Sequence, residues 1–116
     1  MPFLLPFEST PSYRFSTTIL NRQFVFDVRW NYREEAWYFD ILDEAEEPII
    51  LGTKIVLGAM LNRTRDPAFP RGIIIASDLS NTGQDAGLND LGDRVQVYFY
   101  PEEELELMLT LDETVQ

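Results

Sequence analysis

Cysteine and histidine are both missing from this 116-residue chain, and Lys54 is its single lysine. Without cysteine there is no disulfide framework, thiol nucleophile or cysteine-bound zinc. Without histidine the commonest general base and metal ligand is gone, and with it every Ser-His and Cys-His nucleophile. The longest apolar runs, near 48–51 and 73–76, fall far short of the ~20 residues of a membrane-spanning helix. Positive charge is scarce as well: nine cationic residues face 20 acidic ones, a net charge of −11. Such a field repels nucleic-acid backbones, whose binding rests on cationic contacts that release counterions, and it disfavours anionic membranes. Neither specific nucleic-acid binding nor membrane association is expected.

The start, MPFLLPFESTPS, has no basic region and is interrupted by Pro2, Pro6 and Pro11, so it does not read as a secretory signal. Its prolines and its four large apolar residues, Phe3, Leu4, Leu5 and Phe7, predict an extended arm over residues 1–12. That arm either covers its own body or docks on a neighbour.

What is present is β-strand patterning. The hydrophobic content of 45% at this length fits one domain whose core buries roughly two thirds of the unfolded surface. The stretch 24–42, FVFDVRWNYREEAWYFDIL, reads as an aromatic-rich hairpin. Alternation puts Phe24, Phe26, Val28 and Trp30 on one face, and Trp37, Phe39 and Ile41 on the matching face of the return strand. The other face carries Asp27, Arg29, Tyr38 and Asp40. Two carboxylates there repel if they meet directly, and Arg29 lies close enough to reach Asp40 opposite or diagonally. Residues 13–20 alternate into a preceding strand, with Asn21-Arg22 as the tight turn.

Asp43 to Pro48 is an acidic turn, after which IILGTKIVL forms a fourth strand bent or bulged at Gly52. The span 58–71 holds two prolines and three arginines without a clean period and reads as a long loop with room for one helical turn. GIIIASDL, from Gly72, has a near-continuous apolar start, which predicts a central strand covered on both faces. An Asn-, Asp- and Gly-rich loop follows, then RVQVYFY alternates with Val95, Val97 and Phe99 inward. The expected fold is all-β: a small antiparallel β-barrel or sandwich of about six to seven strands with extended terminal arms. Residues 1–12 form the N-terminal arm, 13–101 the core, and 102–116 a C-terminal strand or arm. In that last segment Leu105, Leu107, Leu109 and Leu111 alternate strictly, which favours a strand, while Glu, Leu and Met after a proline leave a helix open.

Candidate chemistry is thin. Asp27, Asp40 and Asp43 cluster at the hairpin beside Glu44, Glu46 and Glu47, and a paired-carboxylate hydrolase is the catalytic reading of that cluster. A solvated strand face and an acidic turn account for it better. Asp85, Asn89, Asp90 and Asp93 offer oxygen ligands without the spacing of a calcium loop, and the nearby glycines match neither a dinucleotide nor a phosphate-binding fingerprint. No catalytic residue, metal or cofactor is expected, and the chain reads as a non-enzyme. Arg63, Arg65 and Arg71 are the one basic concentration, suited to carboxylates on a partner or a second copy. With Phe3, Leu4, Leu5, Phe7, Leu105, Leu107, Leu109 and Leu111 they form the candidate partner interface.

In order, the chain presents Trp30-Asn31 leading to Trp37, Tyr38 and Asp40; Pro48, Leu51, Gly52, Val56, Leu57 and Gly58; Gly72 and Asp78; then Leu91, Gly92, Arg94, Val95 and Tyr98. In this it resembles the bacteriophage baseplate plug family, the small cyanophage-type plug domain of contractile tails, over about 13–101. It departs in a hairpin turn, 32–35, without glycine, and in a longer leucine-rich end. The resemblance implies a virion structural protein, assembled in the host cytoplasm, that plugs or joins tail tube and central hub or spike, as a homo-oligomeric ring. The alternative is a β-sandwich that binds carbohydrate through exposed aromatics such as Tyr32 and Tyr38.

Overall fold

Alternation, turn chemistry and one inserted phenylalanine together account for the architecture. The computed structural model describes residues 3–59, 61–62 and 69–102. Its strands are β1 (Phe3–Leu5), β2 (Ser12–Ile19), β3 (Arg22–Asn31), β4 (Ala36–Asp43), β5 (Pro48–Lys54), β6 (Gly72–Asp78) and β7 (Val95–Pro101). They form two antiparallel sheets, ordered β2-β3-β4-β5 and β1-β7-β6. The all-β expectation holds, as an open sandwich and not as a closed barrel.

The larger sheet turns Phe24, Phe26 and Val28 of β3 and Trp37, Phe39 and Ile41 of β4 inward, all at 2% exposure or less. Trp30 shares their parity but lies toward the rim and is half-buried against Trp37, edge to face at 5.3 Å. The smaller sheet contributes Leu5, Ile74, Ala76, Val95, Val97 and Phe99 to the same core.

The N-terminal segment closes the two sheets together. β1 pairs with β7, then Phe7 leaves the small sheet and places its ring among Phe15, Phe26 and Phe39 of the large one. The three centroid distances are 5.3, 5.8 and 5.6 Å, each edge to face, the arrangement that the ring quadrupole favours. Phe69 makes a second link, 5.0 Å from Phe24 and 5.8 Å from Phe99. Of the alternatives for the arm, covering its own body is the one observed for Leu5 and Phe7.

The turns show how local chemistry sets register. The β2–β3 turn is centred on Leu20-Asn21, because Ile19 already pairs with Arg22, one residue earlier than Asn21-Arg22. Both residues have positive φ, 49° and 68°, as a two-residue hairpin of this hand requires. The glycine-free turn between β3 and β4 is held by the Asn31 side chain, which accepts from the amides of Arg33 and Glu34, with Glu35 left-handed. In the acidic turn Asp43 accepts from the amides of Ala45 and Glu47, at 2.9 Å each. Gly52, at φ +66°, lies where the β4–β5 register shifts, and Asp40 accepts its amide at 2.6 Å.

β6 is not central. It is the outer strand of its sheet, and residues 57–58 and 61–62 lie along its free side: Leu57 bridges Ala76 and Leu61 donates to the Ile74 carbonyl at 2.8 Å. Buried Asn62 finishes the cover, donating to Gly72 O and accepting from Ile74 N as a neighbouring strand does. The strand-or-helix question for the C-terminal leucines falls outside the described residues.

Phe7→Ala is expected to lower unfolding free energy by about 3–5 kcal/mol, the usual loss for a buried ring at a site that cannot collapse. Urea denaturation reads it directly. Leu20→Asn combined with Asn21→Gly is expected to raise stability by about 1 kcal/mol, since leucine is unfavourable in a left-handed turn. An unchanged midpoint counts against that turn geometry.

Candidate functional site

The hairpin carboxylates, the first candidates for chemistry, are spoken for. Asp27 and Asp40 do stand directly opposite each other on the outer face of the large sheet. Arg14, opposite Asp27 on β2, donates to it at 2.7 and 2.9 Å and also pairs with Glu46. Arg29 reaches Asp40 diagonally, at 3.1 Å. The result is a charge ladder, Arg14–Asp27–Asp40–Arg29, in which the two adjacent carboxylates each have their own cation. Asp43 is committed to its turn, as above.

The loop between β6 and β7 contains the densest polar network, and Arg94 is its centre. The guanidinium donates to Thr82 Oγ1, to the carbonyls of Gln84 and Asp85, and to Asp90 Oδ2 at 2.9 Å, and lies 3.1 Å from Asp78 Oδ2. Asp78, its side chain only 5% exposed, accepts from the hydroxyls and amides of Ser80 and Thr82 and from the amide of Gly83. The Thr82 hydroxyl, helped by Ser80 and two further amides, holds the Asp78 carboxyl well below the usual carboxylate range against the opposing effect of burial. Asp90 is lowered too, chiefly by the Arg94 hydrogen bond, and Arg94 is raised in return. Asp85, one of the acids considered for calcium, instead accepts the Leu57 amide. Among the described residues no group of three or more acidic side chains is placed to hold a metal ion.

The aromatics largely face one another. Trp37 is buried and donates its indole N–H to the Gly87 carbonyl at 2.9 Å, tying the large sheet to the β6–β7 loop. Tyr32 is exposed beside Trp30, and the Tyr38 hydroxyl donates to Glu34, which raises its pKa. Tyr13 is pushed up to about 12 by burial, and its hydroxyl oxygen accepts the Glu8 amide.

The candidate interface residues separate into three groups. Leu5 and Phe7 are core, at 1% and 5% exposure, and anchor the arm to its own body. Phe3 and Leu4 are exposed, at 40% and 56%, and Arg71 is exposed with its guanidinium 3.7 Å from Glu102. Arg63, Arg65, Leu105, Leu107, Leu109 and Leu111 lie outside the described residues.

Acid lability follows from the Asp78–Arg94 network. A carboxyl whose pKa is lowered by folding adds stability that is complete above its unfolded value, near 3.8, and is lost as pH falls further. The wild-type denaturation midpoint is therefore expected to drop steeply below about pH 4. Asp78→Asn is expected to be less stable than wild type at pH 7, with the gap closing toward pH 2. A gap that stays constant over that range contradicts the assignment.

The residues that carry the family resemblance have structural tasks. A Cβ on Gly92 would collide with the Phe7 carbonyl, and one on Gly72 with the Tyr100 carbonyl and the Phe99 ring. Gly52 and Asp40 make the bulge, Trp37 ties sheet to loop, and Asp78 and Arg94 lock that loop. Sequence reasoning did not anticipate Asn62, whose role depends on a strand edge brought beside it by the fold.

Comparison with curated proteins returns no match. The family model described as cyanophage baseplate Pam3 plug gp18 matches residues 3–102, from β1 through the end of β7. Those are the limits of the sandwich itself, so the match covers the whole arrangement just described, and the chain belongs to the cyanophage baseplate plug family.

Proposed function

We propose that this chain is a non-enzymatic structural subunit of a contractile phage tail, joining the tail tube to the central hub and spike through contacts between subunits arranged as a ring. The observation that carries this is the family match over 3–102 together with what the described residues that carry it do: they hold a sandwich shut. A part of this kind works by shape and position. The exposed residues of the two ends, Phe3, Leu4 and Arg71, with Arg63, Arg65, Leu105, Leu107, Leu109 and Leu111, are the proposed contacts with other subunits. Each is a modest contact alone, and closed symmetry repeats it. The protein joins the tail in the host cytoplasm and resides in the virion. Its surplus of acidic residues keeps DNA from adhering as the genome passes.

The test is complementation of a phage lacking this gene product. Leu4→Glu combined with Arg71→Glu is expected to leave the melting temperature of the purified subunit within about 2 °C, since neither side chain belongs to the core between the sheets. Its incorporation into tails is expected to fall by at least about tenfold, the equivalent of ~1.4 kcal/mol for the two contacts together. Incorporation equal to wild type with a folded variant rules out these surfaces.

A further inference from the structure

The small sheet has a second apolar face. Leu5, Ile74, Ala76, Val97 and Phe99 point into the core, so the alternate residues of the same strands point away from it. Pairing aligns them in two rows across the sheet: Leu4 beside Tyr98 beside Ile75, and Tyr100 beside Ile73. Leu4 is 56% exposed, the other four are half-buried, and the two tyrosine rings lie 6.3 Å apart. The outer face of the large sheet, at its centre, carries the Arg14–Asp27–Asp40–Arg29 ladder; the small sheet has no counterpart to it. A strand that is apolar on both faces, as β6 is over Ile73–Ala76, belongs in a sheet covered on both sides.

We propose that this outer face is the seat of the chain's own segment 103–116 in the free subunit. Position, length and charge all point to that occupant. The chain leaves β7 at Pro101, beside Gly72, at the edge of the patch next to Tyr100 and Ile73. The segment that follows contains Leu105, Leu107, Met108, Leu109 and Leu111, apolar side chains to match the two isoleucines, Leu4 and the tyrosine rings. Extended, Leu105 to Leu111 reach about 20 Å, the length of a seven-residue strand such as β7. Wound as a helix they cover about 10 Å, the width of three strands. Arg71 stands at the point of exit, already paired with Glu102, the first of three acidic residues in the sequence. Docking shields Leu4 and the leucines, which are among the surfaces proposed for assembly, until a neighbouring subunit takes them. The docking itself does not depend on the baseplate reading.

Because the chain has no cysteine, introduced pairs give a clean readout on the full-length protein. Ile75→Cys is combined in turn with Leu105→Cys, Leu107→Cys, Leu109→Cys and Leu111→Cys, with Ser12→Cys on the large sheet replacing Ile75→Cys as the control. Under mild oxidation at low micromolar concentration, at least one Ile75 pair is expected to form an intramolecular disulfide, visible as a faster-migrating monomer on non-reducing gels, and no control pair is. As a second measure, Leu107→Ser with Leu109→Ser is expected to raise binding of an apolar fluorescent dye by the folded chain at least twofold. Disulfide-linked dimers in place of monomers assign the seat to another copy and overturn the proposal. So does the absence of any cross-link from Ile75 with dye binding unchanged.

Discussion

The structure depends on Phe7 crossing from one sheet to the other. Among the described residues no strand pairing joins the sheets of three and four strands, and the chain has no disulfide to hold them. The backbone on either side of Phe7 is fixed at both ends: Leu5 is paired with Val97 in the small sheet, and the Ser9 hydroxyl donates to the Leu91 carbonyl at 2.7 Å. Between those points the ring enters the large sheet's aromatic row, and its carbonyl occupies the space that a side chain at Gly92 would need. The N-terminal segment, the sheets and the β6–β7 loop therefore form one mechanical unit.

That unit explains why the family pattern is legible in residues that lie far apart along the chain. Arg94 gathers a loop that has little apolar content of its own, Asp78 satisfies its turn amides, and Trp37 fixes the loop to the opposite sheet. These residues are spaced irregularly along the sequence because they meet only in the folded chain. They specify a shape.

Strands and their faces could be read from the sequence because burial on one side imposes a period of two, and Phe24, Phe26, Val28, Phe39 and Ile41 follow it without exception. Other features resisted for physical reasons. The Leu20-Asn21 turn is hidden because leucine is a poor left-handed residue and register, not composition, puts it there. The apolar start of β6 is a true sign of two apolar faces, yet it does not reveal that the strand is outermost, since Leu57, Leu61 and Asn62 supply the missing edge partner. The destination of Phe7 was equally hidden: a short apolar arm looks the same whether it binds its own body or a neighbour's. As for the partner surfaces, the sequence marks apolar and basic residues, and the fold divides them into anchors such as Leu5 and exposed groups such as Leu4.

The central claim is that this sandwich does its work by occupying a place in the tail. Cryo-electron microscopy of intact tails tests it most directly. The account predicts density for the two sheets, with Phe7 between them, on the tail axis within the baseplate between tube and hub. A complete, contractile baseplate with no such density would contradict it.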